Sequence, residues 1–109
     1  AVLPCFISHT FLDEIAPEAR IAVVDMMAAL AAHVARRHAD ARRIGVLTSD
    51  YVRGRGLFER YFPAPAELVY PSADAQAALM RAIYDEGGIK AGRLDPAAIA
   101  LLDAAVRDV

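Results

Sequence analysis

The sequence has 109 residues, a formal net charge of -2 and 57% hydrophobic residues, with a pI near 5.9 and a mean hydropathy of +0.31. That length suits one compact domain, the charge balance excludes a broad basic footprint for nucleic acid, and no apolar run is long enough to span a membrane. The single cysteine excludes an internal disulfide framework and fits a reducing, cytoplasmic compartment.

In chain order, Val2 to Cys5 is a short strand candidate and Thr10 to Ile15 a short helix ending before Pro17. Ile21 to Val24 is an apolar, β-branched run that predicts a buried strand. The alanine-rich stretch from Asp25 to His38 favours helix, with Asp25 as N-cap and Arg36 and Arg37 suited to the dipole of its last turn. Arg43 to Asp50 is the clearest buried strand, ending in polar residues that suit the start of a helix. Val52 to Tyr61 reads as that helix, stopped by Pro63 and Pro65. Glu67 to Tyr70 is a further strand. A helix from about Asp74 to Glu86 follows, carrying Leu79, Ile83 and Tyr84 near its inner face and ended by Gly87-Gly88. Pro96 opens a last helix running toward Arg107.

This alternation predicts an α/β fold: a three-layer α/β/α arrangement, flavodoxin-like, with helices on both faces of a mainly parallel sheet of about four strands. Ligands in such sheets sit beyond the carboxyl ends of the strands, and two of those ends are Cys5 to His9 and Thr48 to Val52. The alanine-rich apolar excess suits an additional buried face against another domain or subunit. The chain opens at Ala1 directly on a strand-like run, with no initiator methionine. A piece of a longer protein, or one whose first segment was removed, is the expectation.

The stretch with most chemical content is Pro4 to Ile15. Cys5 stands where an apolar run gives way to a polar turn, a junction at which backbone N–H groups and a helix dipole favour a thiolate. Free cysteine is also among the residues most often simply packed away, and position alone leaves both readings open. His9 either orients this loop or its thiolate, or is a helix-start residue with a satisfied ring. His33 and His38 have no carboxylate or thiol at ligand spacing, so no metal site is expected. Gly54-Arg55-Gly56 lacks the spacing of a phosphate-cradling loop and reads as a helix weakened by glycine. Met26-Met27 and Phe58, Tyr61 and Phe62 read as core. Lys90, the only lysine, reads as solvated on its surroundings alone.

Taken together the motifs resemble a known family. Pro4-Cys5-x-x-Ser8-His9-x-Phe11-x-Asp13-Glu14-Ile15 resembles the segment around the first catalytic cysteine of the aspartate/glutamate racemase superfamily, where Pro-Cys-Asn-Thr-(Ala/Ser)-His is usual. Ile44 to Asp50 resembles its Gly-Leu-Leu-Ala-Thr-x-Gly-Thr loop. Tyr70-Pro71-Ser72, Arg81 to Glu86 and Ile89-Lys90-Ala91-Gly92 resemble its Pro-x-x-x-x-Gln…Ile-Tyr-x-x-Ile-Lys-x-Gly region. The likeness runs in order over nearly the whole chain. It implies a racemase-like half-enzyme in which residues 1–20 are a cysteine-bearing strand-turn-helix and 21–109 a second domain, cut before its last strand.

By that resemblance the activity is inversion at an α-carbon without a cofactor, by an isomerase in which two cysteines face the substrate from opposite sides. Cys5 takes the first of those places. Ser8 is a candidate donor to its thiolate and to the substrate. Ser49 falls where the family has a substrate-binding threonine, and Lys90 where a lysine pairs with a side-chain carboxylate. His9 and Asp50 are supporting candidates. The implied partner is a small amino or dicarboxylic acid, with neither nucleic acid nor membrane, and the parent enzyme is expected to be a homodimer. Three departures stand out. Phe6-Ile7 replaces the Asn-Thr that helps hold a carboxylate, Tyr51-Val52 replaces Gly-Thr, and the second cysteine does not occur in these residues. Phe6-Ile7 would suit a more apolar substrate or a site without turnover. Rival readings are a cysteine-dependent decarboxylase or diacid isomerase on the same scaffold, a non-catalytic small-ligand-binding or dimerising α/β domain, and a flavodoxin-like or receiver-like domain. The receiver version lacks the acidic cluster it would need at the strand ends.

Overall fold

Helices dominate the chain: among the described residues three come before the first strand, and the strand–helix alternation read from the patterning appears only from Arg43 onward. The computed structural model describes residues 1–93 and 95–109 and divides into two compact units, Ala1–Arg42 with Tyr51–Glu67, and Arg43–Asp50 with Leu68–Val109.

In the first unit, the turn after Cys5 forms two short helices, α1 (Phe6–His9) and α2 (Leu12–Glu18). Helix therefore begins four residues earlier than Thr10 and continues through Pro17. That proline lies one residue from the end of α2, so the bond it cannot donate to the Asp13 carbonyl is lost where the helix is already ending. Helix α3 (Met26–Arg37) starts where the sequence indicates, because the Asp25 Oδ1 accepts the Ala28 N–H at 2.9 Å. The helix foreseen over 52–61 is two helices, α4 (Asp50–Gly54) and α5 (Leu57–Tyr61). Between them Gly56 adopts φ 62, a left-handed conformation that non-glycine residues rarely take. The break turns Leu57 and Phe58 into the core of this unit beside Leu12, Met27, Val52 and Phe62.

In the second unit, β1 (Arg43–Gly45) pairs with β2 (Glu67–Val69), and the Val46 N–H extends the ladder to the Val69 carbonyl at 2.8 Å. Helix α6 (Ala73–Tyr84) and helix α7 (Pro96–Asp108) form the most extensive helix pair. Their buried alanines Ala78, Ala82, Ala98 and Ala105 are small enough to let two backbones approach closely. Pro96 opens α7 as expected. Ser72, preceding α6, donates its N–H and hydroxyl to the Asp108 carboxylate, which ties the start of α6 to the end of α7. A 3-10 turn, Ile89–Ala91, closes at Gly92 with φ 71. No helix among the described residues is long and apolar enough to cross a membrane.

The α/β class is present, but the sheet is smaller than the four-strand expectation. Among the described residues it holds two strands, and the first two strand candidates meet only as a single parallel bridge between Val2 and Val24. The local cause is visible in the backbone. Pro4 has no N–H to give a ladder, and the Cys5 N–H folds back onto the Leu3 carbonyl at 2.8 Å. Ile21, expected in a buried strand, is 65% exposed.

Candidate active site

Cys5 has extended backbone (φ -151, ψ 122) and stands immediately before α1. The thiol is partly exposed, and its side chain does not cap α1. The Cys5 carbonyl, by contrast, is firmly engaged. It accepts the His9 N–H at 3.4 Å, and the His9 Nδ1 lies 3.0 Å away. The opposite ring nitrogen, Nε2, accepts the Met26 N–H at 3.0 Å. His9 is 1% exposed, so the ring is a buried bracket between the cysteine turn and the start of α3. It meets the carbonyl of Cys5.

The two residues between Cys5 and Ser8 divide their roles. Phe6 turns against Phe58, ring centroids 5.2 Å apart and nearly edge-to-face. Ile7 and Ser8 instead line an open, mostly apolar groove with Phe11 and Ile15, alongside Glu14 and Glu18. The replacement of Asn-Thr by Phe6-Ile7 therefore has two consequences. One side chain joins the packing of the unit, and the other presents a methyl-rich surface beside Ser8. Tyr51 stacks on Phe11 at 6.2 Å, and Val52 is core.

Next to α3, the Asp25 carboxylate carries a second bond, accepting the Tyr61 hydroxyl at 2.8 Å through Oδ2. Burial works to raise the Asp25 pKa, but hydrogen bonds from Ala28, Tyr61 and Met27 outweigh it and hold the carboxyl below its ordinary 3.8. Tyr61 is raised above its ordinary 10.0, first by burial and then by that same bond, which favours the protonated phenol.

In the second unit, Ser49 (7% exposed) and Thr48 (4%) are buried in the loop that follows β1, and Asp50 begins α4. This loop is held by Gln76 of α6. Its Nε2 donates to the Thr48 carbonyl at 3.0 Å and to the Asp50 Oδ1 at 2.7 Å. Both partners are acceptors, which fixes the amide orientation and leaves the buried Oε1 without a hydrogen-bond partner among the described residues. Lys90 is exposed on the 3-10 turn.

Cys5, Ser8 and His9 thus share one local turn, and Ser49 and Asp50 share another, in the other unit. Lys90 belongs with the second unit but stands on a separate turn. The sequence reading passed over Gln76, although it lies three residues before Leu79 and so on the inner face of its helix. It also found Asp25 as a cap without its bond to Tyr61, a contact spanning 36 residues of chain. Among the described residues, no group of three or more His, Cys, Asp or Glu side chains is placed to hold a metal ion. A family model described as Asp/Glu/Hydantoin racemase matches residues 1–109.

Proposed function

The chain belongs to the Asp/Glu/hydantoin racemase family, and from that premise we propose that it takes part in cofactor-independent proton transfer at an α-carbon, with the Cys5 thiol as one acid/base. The substrate is a small amino or dicarboxylic acid, or a compound with a comparably acidic C–H beside a carbonyl. The observation that carries this reading is the placement of Cys5. The only cysteine of the sequence lies in the family's motif, partly exposed, at the junction of extended chain and helix.

Each catalytic element has a physical task. A thiol titrates near working pH, so it can take a proton as thiolate and return it as thiol. Ser8, in the same turn, donates to the substrate or the thiolate. Within the second unit, the family resemblance supports Ser49 and Lys90 as carboxylate-binding residues, and Asp50 supports the Ser49 loop through its bond to Gln76. The opposite-face donor of a two-base inversion is not a cysteine of these 109 residues. The enzyme works as a homodimer in a reducing, cytoplasmic setting. Exposed apolar side chains such as Val2 and Ile21 in the first unit and Ile99 and Val106 in the second support further contacts.

Enantiopure aspartate, glutamate and 5-substituted hydantoins, followed by polarimetry after dialysis against a chelator, test this reading. Inversion of one of them, lost on alkylation of Cys5, is the expected result. Inversion that requires added pyridoxal phosphate or a divalent metal would overturn the cofactor-independent mechanism. Consumption of a diacid without inversion would move the function to a one-cysteine decarboxylase or isomerase.

A further inference from the structure

We propose that His9 is a positioning residue for Cys5: its neutral imidazole, protonated on Nδ1, ties the Cys5 carbonyl to the first amide of α3. The inference rests on Cys5 being the reactive group, and it deepens that reading by naming what holds the cysteine in place.

The tautomer follows from the partners. A backbone N–H can only donate, so the Met26 amide, 3.0 Å from Nε2, requires a lone pair there. A carbonyl can only accept, so the Cys5 oxygen, 3.0 Å from Nδ1, requires a proton there. One state of the ring meets both demands, the neutral imidazole with its hydrogen on Nδ1. The ring is 1% exposed, so water does not compete for either nitrogen. A second proton on Nε2 would set an N–H against the Met26 N–H.

The consequence for Cys5 is geometric. The Cys5 carbonyl accepts both the backbone N–H and the ring of His9, the two bonds of α1's own first turn. Through the ring, that turn is fixed to α3, an element 17 residues further along the chain. A thiol that must meet an α-carbon within a few tenths of an ångström needs such an outer support, because the reactive side chain has only its own χ1 to define it.

The test uses the native chain and two variants. His9→Asn keeps a donor near the Nδ1 position and cannot reach Met26. His9→Gln keeps an acceptor for Met26 and has no donor at the Cys5 carbonyl. Cys5 is the sole thiol, so iodoacetamide alkylation reports on it alone. Each variant cuts one end of the bracket, so across a pH series His9→Asn should also depart from the native alkylation profile. A folded His9→Asn that keeps that profile would overturn the tie to α3. His9→Gln should change the rate by about threefold or more, the effect of a half-unit displacement of a thiol's titration. A folded His9→Gln with the native profile would overturn the proposal. In the unsubstituted chain, imidazole 15N–1H correlation should show the Nδ1–H tautomer, and an Nε2–H tautomer would equally overturn it. Should a variant fail to fold, alkylation of Cys5 in the native chain decides instead. The His9 nitrogen resonances move if the two residues are coupled and stay in place if they are not. None of these readouts depends on α-proton transfer, so a failure here is distinct from a failure of the proposed activity.

Discussion

Asp25 holds the start of α3 with one carboxylate oxygen and the Tyr61 hydroxyl with the other. Because the folded carboxyl is held below its ordinary pKa, its contribution is fully present above the unfolded value and disappears as pH falls through the folded one. Asp25→Ala should therefore destabilise the fold by about 1 kcal/mol at neutral pH, as for other N-cap losses. The gap to wild type in urea unfolding should narrow under acid conditions. Tyr61 titrates in the opposite sense. Its raised pKa gives stability that is present below the unfolded value and lost as pH rises through the folded one, so Tyr61→Phe should remove an alkaline component of unfolding. The cap was legible in the sequence, since an acidic residue stands directly before an alanine-rich run. Its tyrosine partner was not, because nothing local encodes a bond across 36 residues. His9 is intermediate. The sequence marked it as either orienting or merely satisfied, and the two ring contacts required coordinates.

At the level of elements, Gly54 to Gly56 decides where one helix becomes two. Glycine at position 56 takes φ 62, and Gly56→Ala should destabilise by roughly 1 kcal/mol through left-handed strain. Leu57, 0% exposed just past that turn, anchors the core of the first unit. Leu57→Ala should cost about 2–5 kcal/mol, read as a lower urea midpoint with little change in slope. The sequence recognised the glycines as a weakness in a helix but extended that helix through them, because apolar spacing on both sides remains compatible with one continuous face. The strands show the converse limit. A β-branched run such as Ile21 to Val24 announces strand propensity, yet a ladder also needs a partner, and here the partner run is interrupted by Pro4. β1 and β2 did find each other, and both fall within their expected ranges.

Across the whole molecule, what was most legible was the order of motifs. The cysteine turn, the polar loop after β1 and the Ile-Lys-x-Gly turn are the segments that carried the resemblance, and the family model spans residues 1–109. Chemistry leaves such marks because it needs particular atoms at particular junctions. Packing accepts many apolar solutions, so the number of strands and the division into two units were not legible in the same way. Gln76 illustrates the difference. It holds the Thr48–Asp50 loop by two hydrogen bonds, yet in the sequence it is one polar residue within an amphipathic helix.

The central claim, that Cys5 moves a proton at an α-carbon, is tested most directly in D2O. The protein and a Cys5→Ala variant are incubated with aspartate, glutamate and other amino acids, and the α-proton signal is followed by NMR. The signal of at least one amino acid should decay with the native thiol and persist with the alanine variant. Equal decay with both proteins, or persistence of every signal with the native one, would contradict it.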